Sequence, residues 1–268
     1  MARLPDTPSL LSRREQLAEL AALVEQAGPP PATEDACFSC GCPPLDHVLP
    51  GGGLSRGSVV EWLADGAGCG ASLLAIAAAR EAQRSLWAGG AVVVIDRQAG
   101  FYPPAALAWG LDLGSTIIVH PRSEADERWA IDQALRCRHA AAVLAWPRRI
   151  DGRTFRRFQL AAEASGTVGL LVRSGALRGE PSWAHLRLGV APVPVPLSRA
   201  APLPSAQPAH WRLAVSVLRA RQGALGPSRT GSVQIVVQID PASGEIHEAS
   251  SGDLAPQLAR PTARAAKA

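Results

Sequence analysis

Between residues 58 and 173, short apolar runs alternate with stretches of helical composition. Strand-like segments stand at 58–63, 91–96, 116–120, 141–146 and 168–173. Helix-like segments stand at 73–83, 104–110, 124–138 and 154–165. The run at 91–96 is β-branched without polar interruption, as in a strand buried on both faces. Strict alternation of strand and helix predicts an α/β architecture, with a central, mostly parallel sheet flanked by helices and joined by right-handed crossovers. The pattern changes after residue 190. Pro192, Pro194, Pro196, Pro202, Pro204 and Pro208 mark a long irregular connection. Strands at 211–219, 233–240 and 245–248 follow, and their order predicts antiparallel additions at the C-terminal end of the sheet.

Ahead of this region, residues 12–27 read as a helix. Ser12 and Glu15 fit a capping box, and Leu17, Leu20, Ala21, Leu23 and Val24 repeat at helical spacing. Gly28-Pro29-Pro30-Pro31 ends it. The helix suits either a lid on its own body or a docking element for another protein. The expected organisation is an N-terminal helix and Pro-rich linker (1–36), a core domain (37–250) and a flexible tail (251–268). The 268 residues suffice for one large buried core. No apolar run approaches the roughly 18 residues of a membrane span. Five cysteines, an odd number, without a secretory leader point to a reduced, cytoplasmic protein.

The first strand, a glycine-rich turn and a helix occupy the arrangement of a phosphate-binding loop, whose pattern is G-x-x-x-x-G-K-[ST]. Here the turn reads Asp65-Gly66-Ala67-Gly68-Cys69-Gly70-Ala71-Ser72. The last glycine and the hydroxyl residue are kept. Asp65 stands at the first glycine position and Ala71 at the lysine position. Composition makes that loss general: of 27 basic side chains, Lys267 is the one lysine, and every other is arginine. Schiff-base chemistry and an intact phosphate-loop lysine are therefore excluded from the body of the fold.

The upstream segment adds specificity. Ser39-Cys40-Gly41-Cys42-Pro43-Pro44-Leu45-Asp46 leads into Leu49-Pro50-Gly51-Gly52-Gly53-Leu54, then Arg56-Gly57 and Val59-Val60-Glu61. This resembles the entry to a RecA-type ATPase core, an S-T-G-x-x-x-L-D segment and a Gly-Leu turn before the phosphate-loop strand. Ser39, Gly41, Leu45 and Asp46 match in order. The resemblance implies a RecA-like P-loop NTPase core over roughly 37–240. It also implies a catalytic glutamate where Gln98 stands and a Walker B aspartate at the strand end held by Ala145 and Trp146. A polar sensor belongs where Leu170 and Leu171 stand. With base, metal carboxylate, sensor and lysine replaced together, ATP hydrolysis is not expected.

The degenerate core, with Pro50–Leu63, Leu144-Ala145-Trp146-Pro147 and Phe155-Arg156-Arg157-Phe158-Gln159-Leu160-Ala161-Ala162-Glu163, resembles the ImuA family of bacterial translesion mutagenesis cassettes. That resemblance implies a non-catalytic, damage-induced accessory role in the SOS response. Its implied partners are an ImuB-like inactive relative of Y-family polymerases, an error-prone replicative-type polymerase, and a RecA filament. Two other readings stay open: a divergent nucleotide-binding ATPase in which Arg80, Arg84 or Arg97 replaces the lysine, and a division inhibitor of the related SulA kind.

Candidate residues follow. Asp65, Gly66, Gly68, Gly70, Ala71, Ser72, Gln98 and Ala145 mark the degenerate nucleotide pocket. Arg148, Arg149, Arg153, Arg156 and Arg157 form the densest basic cluster. With Arg219 and Arg221 they are candidate contacts for DNA or an acidic partner. Few aromatics accompany them, so DNA contact is expected to be weak and salt-sensitive. Cys37, Cys40 and Cys42 read as ordinary small cysteines rather than metal ligands, since a structural zinc site wants four ligands. No cofactor is expected. The seven tryptophans read mostly as core anchors, and any exposed one is a candidate interface residue.

Overall fold

The computed structural model describes residues 37–85, 90–193, 211–220, 233–240 and 244–249. The expected helix at 12–27 and the tail at 251–268 lie outside the described residues.

Cys37–Phe38 (β1) and Leu54–Ser55 (β2) form a small antiparallel pair. The other nine strands make one sheet: Val59–Ala64 (β3), Ala91–Ile95 (β4), Thr116–Val119 (β5), Ala140–Ala145 (β6), Val168–Ser174 (β7), Leu186–Pro192 (β8), Trp211–Ala220 (β9), Val233–Ile239 (β10) and Ile246–Glu248 (β11). Their order is β11-β10-β9-β8-β3-β7-β6-β4-β5. From β8 to β5 all neighbours are parallel, and β9, β10 and β11 are antiparallel additions. The expected RecA-like α/β architecture is therefore present.

One strand was not expected. β8 lies beside β3 in the centre of the sheet, Trp62 opposite Leu188, in a stretch to which the sequence reading assigned no element. Its sequence, Leu186-Arg187-Leu188-Gly189-Val190-Ala191-Pro192, carries an arginine, a glycine and a proline, which mask the apolar run. Arg187 is tolerated there because a buried carboxylate meets it, as described below.

Five helices accompany the sheet among the described residues: Pro43–Asp46 (α1), Ala71–Ser85 (α2), Pro103–Ala108 (α3), Glu124–Leu135 (α4) and Gly152–Ser165 (α5). α2 is rich in alanine, the best helix former, and its Leu74, Ala75, Ala78 and Ala82 are buried against one face of the sheet with Val60 and Trp62. α4 starts at Ser123, whose hydroxyl accepts the Asp126 N–H at 3.1 Å. Glu124, Asp126 and Glu127 then complement the positive end of the helix. α5 starts at Asp151, which accepts the Thr154 N–H at 2.9 Å, and ends at Gly166 with φ 81°. α4 and α5 cover the other face. There Ile131, Leu135, Phe155 and Phe158 are fully or almost fully buried, each contributing about 1.5–3 kcal/mol. Phe155 and Phe158 thus face the core.

The tryptophans divide, with Trp62, Trp109 and Trp146 in or against the core and three others exposed, which corrects the reading of most as core anchors. Trp62 is fully buried, but Trp129 is 65% exposed, Trp211 51% and Trp183 41%. Residue type alone did not separate these, because the faces are assigned by packing. Trp87 lies outside the described residues. No helix among the described residues is long and apolar enough to cross a membrane.

Candidate functional site

The entry segment folds back on itself. Asp46 accepts the Ser39 hydroxyl at 2.6 Å and the Cys40 N–H at 2.8 Å, and the Gly41 N–H donates to Ser39 Oγ at 3.0 Å. Leu45 is fully buried below. Ser39, Gly41, Leu45 and Asp46 therefore make one turn that closes against α2, where Gly41 meets Ala77. The cysteines in this turn have packing roles. Cys40 and Cys42 are buried, and contact with Cys42 together with burial pushes the Cys40 thiol up, so it stays protonated. Cys37 is exposed, with Sγ 3.6 Å from Ser55 Oγ. Among the described residues no group of three or more His, Cys, Asp or Glu side chains is placed to hold a metal ion.

β3 runs into the glycine-rich loop, and α2 starts at Ala71. Gly66, Gly68 and Gly70 all take the left-handed backbone. Gly70 is doubly constrained. Its φ is +84°, and a Cβ there would stand 2.4 Å from Leu213 Cδ1 of β9. The glycine-rich loop thus carries an apolar side chain on its last glycine.

Ser72, the hydroxyl residue of the loop, is engaged within the fold. Its hydroxyl oxygen accepts a hydrogen bond from Trp146 Nε1 at 2.9 Å. Trp146 directly follows Ala145, at the strand end where a Walker B carboxylate was expected. The hydroxyl that would hold Mg²⁺ is thereby engaged by an indole, and no carboxylate is supplied from that strand end. Trp146 is fixed in turn by Phe101, with ring centroids 6.2 Å apart.

A cleft of about 970 Å³ opens over this loop. Gly66, Gly68, Gly70, Ala71 and Ser72 line it, as expected. Three expected members do not. Asp65 is exposed with its N–H bonded to the Val190 carbonyl at 2.9 Å, and it lies off the lining. Ala145 is fully buried in β6, one residue short of the cleft. Gln98 is also off the lining, and its Oε1 accepts from Arg148 at 3.4 Å. All three were placed by the order of the chain, and in the fold none of their side chains reaches the lining. The alternative lysine substitutes are tied elsewhere as well. Arg80 pairs with Glu81 at 2.7 Å, Arg84 with Glu81 at 3.6 Å, and Arg97 with Glu127 at 3.2 Å. None lines the cleft.

The walls are mostly apolar. Trp146, Leu177, Val193, Trp211 and Leu213 contribute, and Arg148 and Arg212 bring positive charge. Among the described residues no carboxylate lines it. Sequence reasoning missed Leu177, Val193, Trp211 and Leu213, because they join the loop from remote strand ends. The exposed tryptophan was the one available signal.

The basic cluster divides. Arg148 is exposed at the cleft, and Arg149 and Arg153 are exposed. Arg156 lies over the Trp183 ring, 5.0 Å from its centroid, and donates to Gln159. Arg157, half exposed, is held by Asp132 of α4 at 3.0 Å and bridges the two helices. Arg219 donates to the Ser182 carbonyl at 2.8 Å, next to Trp183, and Arg221 lies outside the described residues.

The most buried polar unit was not anticipated. Glu61 of β3 is fully buried and accepts from Arg173 Nη1 of β7 and Arg187 Nε of β8, each at 2.6 Å. Arg187 also donates to the carbonyls of Leu177, Arg178 and Glu180, at 3.0, 3.2 and 3.0 Å. The unit therefore pins the turn Gly175–Gly179, and with it Leu177 on the cleft wall, to the centre of the sheet.

No family model matches the chain. It is similar to the proteins named Protein ImuA from two strains of Caulobacter vibrioides. Each is 30% identical over 239 residues, covering 80% of this chain and 95% of the relative.

Proposed function

The chain belongs to the ImuA family, and on that premise we propose that it is a non-catalytic RecA-like accessory protein of damage-induced translesion DNA synthesis. It acts by binding. Its partner is an ImuB-like protein related to Y-family polymerases, and the wider assembly includes an error-prone polymerase, a RecA filament and DNA. The observation that carries the non-catalytic reading is the bond from Trp146 Nε1 to Ser72 Oγ, beside a loop whose lysine position is Ala71. Phosphoryl transfer needs a cation on the outer phosphates, a hydroxyl on Mg²⁺ and a base or water-positioning group. At the matching positions stand a methyl group, an engaged hydroxyl and Gln98. Retaining such a scaffold without its chemistry favours a role in assembly.

Arg149, Arg153, and Arg156 with Trp183 supply a basic and aromatic surface for weak, salt-sensitive contact with DNA. The test is co-purification of the full chain with the product of a neighbouring polymerase-like gene, alongside an ATP turnover assay. A stable complex and no turnover are expected. Turnover that Ser72→Ala abolishes, or no complex with the polymerase-like protein, overturns the reading.

A further inference from the structure

We propose that the cleft over the inert phosphate loop is a docking groove for an acidic, apolar segment of a partner protein. The proposal deepens the accessory reading and rests on it.

The cleft lies at the carboxyl ends of β3, β6, β7 and β8, where open α/β sheets take their ligands. A polyphosphate would need the loop open and a cation beside it. Instead Leu213 rests on Gly70, and Trp146 engages Ser72. The same space offers a different recognition chemistry. Trp211, half exposed, stands with Leu213, Leu177 and Val193 as an apolar wall, suited to one or two bulky side chains. Arg148, exposed at the rim, adds positive charge, and no carboxylate stands among the described residues of the lining. Charge complementarity therefore selects an acidic occupant.

A volume of about 970 Å³ sits at the upper end of small-molecule sites. Tryptophan and arginine together are the residue types that dominate protein-interface energetics. The residue types favour a protein segment over a small anion, and the volume accommodates one or two of its side chains. Leu177, on one wall, belongs to the turn pinned through Glu61 and Arg187, so that wall is preorganised and ordering it adds little to the cost of binding.

The experiment uses the full chain and the ImuB-like partner of the preceding reading. Affinity is measured for the unaltered chain, Leu213→Glu, the double reversal Arg148→Glu with Arg212→Glu, and Arg138→Glu. Arg138 is exposed before β6, at the other end of the strands, and serves as the control. Circular dichroism and thermal melting establish folding. The double reversal keeps the test valid if Leu213→Glu does not fold.

Leu213→Glu and the double reversal are each expected to weaken binding by about tenfold or more, with Arg138→Glu unchanged. A folded double reversal that binds as the unaltered chain does overturns the groove and leaves the accessory reading standing. No binding by the unaltered chain overturns both. A second readout is 8-anilinonaphthalene-1-sulfonate, an apolar body with one sulfonate, as a fluorescent probe. The partner is expected to displace it from the unaltered chain. Displacement by micromolar ATP instead would overturn the groove, since it would make the cleft a nucleotide site.

Discussion

Replacing Glu61 by leucine removes the one carboxylate that meets two buried guanidinium groups. The Arg173 and Arg187 side chains are only 1% and 7% exposed, and each donates to Glu61 at 2.6 Å. The two are not equally dependent on it. Arg187 keeps three backbone carbonyls as acceptors. Arg173 does not: its Nε and Nη2 already lack a hydrogen-bond partner, and Nη2 stands 3.8 Å from Glu180 Oε2. The cost of Glu61→Leu is therefore that of about one uncompensated buried charge, about 3–5 kcal/mol, and not twice that. At about 2–4 °C per kcal/mol for a domain of this size, the melting temperature should fall by about 6–20 °C.

Urea unfolding of the purified full chain, followed by circular dichroism, measures the effect. The double variant Glu61→Leu with Arg173→Met removes the stranded charge along with its partner. It should recover more than half of the loss, since a buried ion pair and an apolar replacement of similar volume are often close in stability. A Glu61→Leu loss below about 1 kcal/mol would refute the reasoning. So would a double variant less stable than Glu61→Leu alone.

Three further expectations follow from the same contacts. Ala71→Lys should not produce ATP turnover above background, because the metal carboxylate and base are still absent and Ser72 stays bonded to Trp146. A phosphate-release assay with saturating Mg²⁺ and ATP checks this. Glu127 of α4 is buried, and burial outweighs its pairing with Arg97 to hold its carboxyl above the usual range. A raised folded value means that the folded state binds the proton more tightly, so the contribution to stability is lost as pH rises from about 4.5 through the folded value. Glu127→Gln should thus gain on the unaltered chain between acid and neutral pH, read as the difference between paired urea midpoints, and an opposite drift would contradict the sign. Arg149→Glu with Arg153→Glu should weaken retention of single-stranded DNA and flatten the plot of log affinity against log salt by about 1.4, and an unchanged slope would remove both arginines from the contact.

Local pattern carried much of the architecture. Alternating strands and helices, the Ser12 and Glu15 pair aside, were visible in runs of a few residues, and their boundaries in the structure differ by only a few positions. The turn from Ser39 to Asp46 was legible for the same reason, since its hydrogen bonds span seven residues or fewer. β8 was not, because an arginine, a glycine and a proline interrupt its apolar signal. Arg187 can lie in a central strand only because Glu61, 126 residues away, is opposite it. The basic cluster looked continuous along the chain. In the fold, Arg157 turns to Asp132 and Arg156 to Trp183, because a helix distributes consecutive side chains around its axis.

The sequence by itself determined that the glycine-rich loop has no lysine and that the chain is built as an α/β sheet. Those are properties of residue identity and short-range periodicity. What stands in the vacated site was decided only by the tertiary structure. Trp146 reaches Ser72 across 74 residues, and Leu213 arrives from β9 to cover Gly70. Each contact depends on strand ends brought side by side by the sheet order. No periodicity in the chain encodes which ends meet, so the mostly apolar cleft over the glycine-rich loop appears only once the strands are paired.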